Sequence, residues 1–408
     1  MTEPSVRAAG ASAGPSALSA SAPDNGARTA ALVAMIASAG GVGAGLSLGL
    51  PLLALVLESR GITGSWIGLN TAVAGFAALA ITPFVTPLAA RIGAMRLLIG
   101  ALLTTAVALI GFYFATDFRL WFPLRLVFHG ALGTAFVLSE FWIASLAPGA
   151  RRGLVMGIYA TVLSLGFAVG PLILRFVGSH GFLPFGLGAA IIALATIPVL
   201  FARGQRPDLH QTGKRRSVFA FVVGVPIASV AALVFGAVES GAMAILPVYG
   251  LRLGLEEGQA ALIVTAAALG NVALQIPIGL IADRIDRVTV LVACALAGLA
   301  GAFVIPLVAD RFPALLAVVF VWAGIIAGLY TVGLTHLGAR YSGANLAAAN
   351  ATFVMMYAVG MMAGPPAMGL GLDAFAPHGA ILVTAVFFLA YLAVVAIVRA
   401  GSRDGARA

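Results

Sequence analysis

Away from the ends of the apolar runs of this sequence, the ionisable side chains singled out within them are Arg125, His129, Glu140, Glu239 and, nearer one end, His336. Glu140 sits in "FVLSEFWIAS", residues 136–145, where every neighbour is apolar, aromatic or small. A carboxylate in such surroundings must be paired, protonated or put to use. At about 100° per residue on a helix, His129, Phe136 and Glu140 fall within about 60° of Arg125, so the four form one stripe. Arg125 and Glu140 are about 22 Å apart along that helix, too far to pair with each other. Two readings of Glu140 stand: it exchanges a proton as its surroundings dry and wet, or it is a structural acid held by Arg, Asn or Tyr of neighbouring helices. Glu239, in "AVESGAM", is flanked by Gly236 and Gly241. A local helix break there would free backbone groups to face a solute, and a structural acid is the alternative reading. His129 and His336 read first as hydrogen-bonded structural histidines and second as proton carriers. Arg125 either binds an anionic solute or snorkels to the nearby interface.

The elements that must position these groups follow from composition. Of 408 residues 61% are apolar and 9% are charged, whereas a soluble chain carries roughly a quarter charged residues. Runs such as 30–57 and 381–398 are apolar all round, and about 18 or more such residues span a bilayer as a helix. Breaks at charges, Pro and Gly divide the chain into spans at 29–57, 65–89, 95–115, 119–146, 152–177, 182–202, 218–249, 256–282, 288–309, 313–339, 344–371 and 377–400. An even number of spans puts both termini on one side. With the amino terminus inside, 17 of the 23 Lys and Arg residues are cytoplasmic, 5 are outside and 1, Arg125, is within a span. The positive-inside rule therefore predicts cytoplasmic termini in the cytoplasmic (inner) membrane. The same asymmetry accounts for the net charge of +9 without nucleic acid as a partner.

Residues 1–28, rich in Ala, Ser, Gly and Pro, read as a disordered tail that stays on the chain, and 401–408 as a second cytoplasmic tail. A basic linker at 203–217, with Lys214, Arg215 and Arg216, separates a six-span half at 29–202 from another at 218–400. The halves match at a fixed offset. Gly166 pairs with Gly360, Gly170 with Gly364 and Pro171 with Pro365, each 194 residues apart, while Gly130 meets Gly324 and Tyr159 meets Phe353. Arg91 matches Arg284 at an offset of 193. A lone Cys294 excludes a disulfide framework.

At these residues the chain resembles the major facilitator superfamily. Its loop signature, Gly-x-Leu-x-Asp-Arg-x-Gly-Arg, is nearly intact after span eight as Gly279, Ile281, Asp283, Arg284, Asp286 and Arg287. In the first half Arg91 and Gly93 remain, but Ala90 stands where the acid belongs. The Gly-Pro motif of span five resembles one associated with antiporters, without its trailing glycines. Residues 238–254 and the "SEFW" of span four further resemble the YcaD-like branch. The resemblance implies an all-α membrane fold of two pseudo-symmetric six-helix bundles that rock, as a monomer, about a cavity lined by spans one, four, seven and ten. It places Glu140, Glu239, Arg125, His129 and His336 on cavity helices. Asn271, Gln275 and Tyr330 join them as polar candidates, with Thr331, Thr335, Asn350 and Tyr357. Asp283 reads as a gate latch that meets the start of a neighbouring helix such as span eleven. Gly166, Gly170, Pro171, Gly360, Gly364 and Pro365 read as kink and packing positions, and Gly41, Gly45 and Gly49 as a close-packing face of span one.

The sequence has no Gly-x-x-x-x-Gly-Lys-Ser/Thr loop, no cluster with metal-ligand spacing and no nucleophile–base pairing. Neither a metal, a cofactor nor an enzymatic activity is expected. The expectation is a secondary transporter of a small amphipathic or apolar solute in the bilayer, coupled to protons, with export favoured. An uncoupled facilitator or a transport-dead sensor of the same fold comes second, and an intramembrane enzyme third.

Overall fold

The computed structural model describes residues 25–148, 151–202, 224–341 and 343–404. The basic linker and most of the amino-terminal tail lie outside the described residues. Twelve helices in the described residues are long and apolar enough to cross a membrane. They are α1 (Gly26–Ser59), α2 (Gly64–Ile92), α3 (Ala94–Phe114), α4 (Phe118–Leu146), α5 (Leu154–Val177) and α6 (Leu183–Phe201) in the first half. The second half holds α7 (Pro226–Arg252), α8 (Glu257–Arg284), α9 (Arg287–Leu307), α10 (Phe312–Arg340), α11 (Ala349–Ala374) and α12 (Gly379–Ala400). Lipid offers no hydrogen bonds, so such a segment satisfies its own backbone as a helix. Prolines 51, 83, 87, 171, 247, 277, 306, 365 and 366 are carried inside these helices.

Packing repeats between the halves. α1 packs on α5 as α7 packs on α11, α2 on α4 as α8 on α10, and α3 on α6 as α9 on α12. The halves join through α2 against α11 and α5 against α8, two contacts that exchange under the same pseudo-symmetry. α1 and α7 are the most enclosed helices. With twelve spans, the start of α1 and the end of α12 lie at one end of the bundle, the terminal end; the opposite end is the far end.

Small residues set the close approaches. A Cβ on Gly166 would overlap the carbonyl of Gly40, and one on Gly170 would overlap Ser47 and Leu48, all on α1. Their repeat partners Gly360 and Gly364 stand in the same way against the carbonyls of Leu233 and Ala237 on α7. Pro171 and Pro365 follow within unbroken helices. On α1, Gly41 and Gly45 face Ala195 and Ile192 of α6, whereas Gly49 makes only ordinary contacts.

A helix break beside Glu239 does not occur. α7 is helical from Pro226 to Arg252, and its flanking glycines serve packing instead. A Cβ on Gly236 would overlap the Tyr357 carbonyl, and one on Gly241 would overlap Met368, both on α11. An irregularity occurs on α10, where Ala327 separates Phe312–Ile326 from Gly328–Arg340. The Tyr330 amide there bonds the Ala327 carbonyl at 3.1 Å, a tighter turn than the α-helix.

Candidate functional site

Glu239 lies half-buried on α7, and the Tyr357 hydroxyl of α11 donates to its Oε2 at 2.7 Å. Gly236 makes this bond attainable: with no side chain there, the α11 backbone at Tyr357 comes up against α7. Aromatic rings enclose the pair. Tyr330 of α10 stands 5.6 Å from Tyr357 and 5.6 Å from Phe235, and Phe235 stacks on Tyr357 at 6.1 Å. Phe353 closes the group at 5.1 Å from Tyr330. Phe235 precedes Glu239 by one helical turn, and Phe353 precedes Tyr357 by one turn, so each pair shares a helix face.

Glu140 is exposed on α4. Tyr159 of α5 lies within its electrostatic reach, and Tyr330 lies within reach of both Glu140 and Glu239. One acid from each half thus acts electrostatically on the same tyrosine. Phe235, Phe353 and Tyr357 did not stand out in the sequence as companions of Glu239. Their spacing, one turn from a polar residue and from each other, is the signal that was there to find.

The remaining sequence candidates separate into other environments. Arg125 does not snorkel: it is fully buried, and its Nε donates to Asn70 Oδ1 on α2 at 2.9 Å. His129, also buried, places Nδ1 3.2 Å from the Arg125 carbonyl. The stripe on α4 therefore runs from a closed interior at Arg125 to solvent at Glu140. Asn271 and Gln275 bond each other at 3.2 Å along α8. His336 lines a cavity of about 470 Å³ at the terminal end, with Asp283, Arg284, Asp286, Arg287 and Arg340, apart from the aromatic group.

That terminal-end cavity holds the loop signature. Asp283 and Arg284 are exposed, and a Cβ on Gly279 would meet nothing. Asp286, which departs from the signature's glycine, caps α9 by accepting from the Thr289 amide and hydroxyl, each at 2.9 Å. The Thr289 amide holds the Asp286 carboxyl below its usual range. In the first half Arg91 is exposed, and Gly93 has φ +92°, a conformation that favours glycine. The helix start expected for Asp283 needs correction. α8 packs on α5, not on α11, because the pseudo-symmetry pairs α2 with α11 and α8 with α5.

At the far end, polar contacts tie the halves together. Arg252 at the end of α7 bonds Glu58 at the end of α1 at 2.9 Å and Asp373 of α11 at 3.3 Å. Asp373 accepts from the Gly64 and Ser65 amides at the start of α2, at 2.9 and 2.7 Å. On the other side of the axis, Glu257 at the start of α8 accepts from the Ser179 amide at 3.0 Å and hydroxyl at 2.9 Å. His180 stands 3.2 Å from the same carboxylate. None of these residues stands out in the sequence as a site residue.

A family model described as Major Facilitator Superfamily matches residues 31–258 and again 228–407. The uncharacterized MFS-type transporter YfkF of Bacillus subtilis (strain 168) is 25% identical over 350 residues, 84% of this chain and 88% of that protein. The nucleoside transporter NupG has a similar fold, with TM-score 0.73 at 13% identity over 92% of this chain and 98% of that one. A bacterial homologue of the human lysosomal transporter Spinster, inward-facing and unoccupied, gives TM-score 0.72 at 14% identity over 91% and 97%.

Proposed function

The chain belongs to the Major Facilitator Superfamily, and we propose that it is a proton-coupled secondary transporter working by alternating access. That it is a multi-pass membrane transporter follows from the family and the twelve spans. Support for proton coupling comes from one observation: Glu239 accepts from the Tyr357 hydroxyl inside the ring of aromatic side chains around Tyr330, and Glu140, on the other half, acts electrostatically on that same tyrosine. A carboxylate there changes its hydration as the halves rock, and so can load and unload a proton.

The solute is small and apolar or amphipathic, a reading supported by the rings of Phe235, Tyr330, Phe353 and Tyr357 around the acid. Both termini face the cytoplasm across the inner membrane, as the basic residues indicate. Export is the favoured direction on the Gly-Pro motif of α5, and the transporter is a monomer by family resemblance. Placement in the YcaD-like branch rests on residues 238–254 and Ser139–Trp142. The domain limits are 29–202 and 218–400, with α2–α11 and α5–α8 as the seams that slide. The described arrangement is closed at the far end by the Glu58, Arg252, Asp373 and Glu257 contacts, and Glu140 faces solvent.

The test is a ligand screen by thermal shift on detergent-purified protein at about pH 6 and about pH 8, where a native-state ligand at 100 times its Kd stabilises by about 2.7 kcal/mol. A panel of metabolites and amphipathic compounds is run on wild type, Glu140→Gln and Glu239→Gln. A compound whose shift depends on pH in wild type, and not in the variants, supports the proposal. A compound whose shift is the same at both pH values in all three proteins points to an uncoupled facilitator.

A further inference from the structure

The first half contains a buried cation without a counter-charge. Arg125 is 0% exposed and Asn70 is 0% exposed, inside the packing of α2, α3 and α4. Among the described residues the guanidinium uses only Nε on Asn70 Oδ1, and Nη1, Nη2 and the Asn70 Nδ2 are buried with no hydrogen-bond partner. The ion pairs of the described residues lie elsewhere, and none includes Arg125. The ring of Phe112 stands 6.0 Å from Cζ, and Phe128 and Trp121 are buried nearby on α4. One face of the guanidinium is thus aromatic, and its Nη1 and Nη2 donors have no acceptor among the described residues. His129, one turn further on, has its Nδ1 at the Arg125 carbonyl and its Nε2 buried without a partner.

An unpaired buried charge is strongly destabilising, and a half-satisfied buried polar group is destabilising in its own right. Every unpartnered atom on Arg125 and Asn70 is an N–H donor. What such a set lacks is an acceptor with negative charge. We propose that Arg125 and Asn70 form a buried site for a small monovalent anion, a halide or a compact carboxylate, that neutralises the guanidinium within the first half. The site is separate from the Glu239 group: Arg125 lies about 22 Å along α4 from Glu140, toward the far end. Asn70 sits on α2 beside Gly68, whose missing side chain lets α2 meet Pro365 of α11. The anion therefore braces the helix that forms one seam between the halves.

The test uses the full chain, purified in chloride-free gluconate buffer at constant ionic strength. Radioactive chloride binding and the unfolding midpoint are measured as chloride, bromide or formate replaces gluconate. A single saturable site with a rising midpoint is expected, and Arg125→Gln abolishes both. Asn70→Ala, which keeps the charge and removes one donor, weakens binding at least tenfold and guards against a misfolded Arg125 variant. Displacement by bromide identifies a halide site; saturable stabilisation by formate alone identifies a carboxylate site. Equal midpoints in all four anions without saturable chloride binding, or binding unchanged in both variants, overturns the proposal.

Discussion

Glu58 and Arg252 stand 194 residues apart, the same interval that relates the two halves, and their side chains meet at 2.9 Å. They are equivalent positions at the ends of α1 and α7, carry opposite charges and pair across the pseudo-symmetry axis. Ser179 and Asp373 are also 194 residues apart, and each meets the start of a helix from the opposite half. In one seam the acid is on the helix end, Asp373 against α2; in the other it is on the helix start, Glu257 on α8. The far end is thus fastened twice by equivalent positions with the charges exchanged.

Arg252→Ala removes the side chain that holds both Glu58 and Asp373. These groups are partly exposed, so the loss is about 1–2 kcal/mol, roughly 5- to 30-fold in the balance between access states. Spin labels at Thr116 and Asp310, exposed on the two halves at the far end, report that balance once Cys294 is replaced. A longer-distance population grows in Arg252→Ala; an unchanged distribution shows that the clamp does not set the state.

Tyr357→Phe deletes the donor to Glu239 while keeping the ring in its aromatic group. A hydrogen bond to a charged group contributes about 1.5–3 kcal/mol, and the unfolding midpoint falls accordingly. Combined with Glu239→Gln, the loss shrinks, because an uncharged amide needs the hydroxyl less. Additive losses in the double variant contradict a direct interaction.

Gly364→Ala drives a methyl into the Ala237 backbone, and overpacking of this kind costs about 1–3 kcal/mol. Gly157→Ala is the control: nothing lies within 4 Å of its added carbon, and alanine favours the helix by about 1 kcal/mol. Midpoints of the two variants move in opposite directions. A fall in both assigns the effect to glycine loss in general.

Asp286→Ala removes the cap of α9 and costs about 0.5–2 kcal/mol, while Asp286→Asn retains most of it. Because the folded carboxyl is held below its usual range, the ionised form's contribution is complete above the unfolded value. It is lost as pH falls through the lowered folded value. The difference between wild type and Asp286→Asn therefore narrows in acid, and a difference that widens there contradicts the assigned cause.

How far the sequence reached is clear residue by residue. The spans were legible because apolar length is a property of each segment alone. The Gly166 and Gly360 motif was legible because a shared interval marks equivalent positions, and both now sit on neighbouring backbones. The interval did not reveal Glu58 with Arg252, since equivalence does not say which positions meet across an axis. A break at Gly236 and Gly241 was open to the sequence because a glycine serves flexibility and close approach alike; only the neighbour decides, and the neighbour is α11. Of the two readings of Arg125, the snorkelling one falls, because periodicity gives a helix face without what lies against it, here Asn70. Span eleven, offered as the neighbour of Asp283, gives way to α5 as the helix on which α8 packs, for the same reason.

Accumulation against exchange in proteoliposomes tests the central claim, coupling through Glu239 and Glu140, most directly. With a solute identified by thermal shift, an imposed pH gradient drives wild type to accumulate it, and a protonophore abolishes accumulation. Glu239→Gln and Glu140→Gln are expected to exchange labelled for unlabelled solute yet to accumulate none. Accumulation by both variants at the wild-type level contradicts proton coupling at these carboxylates.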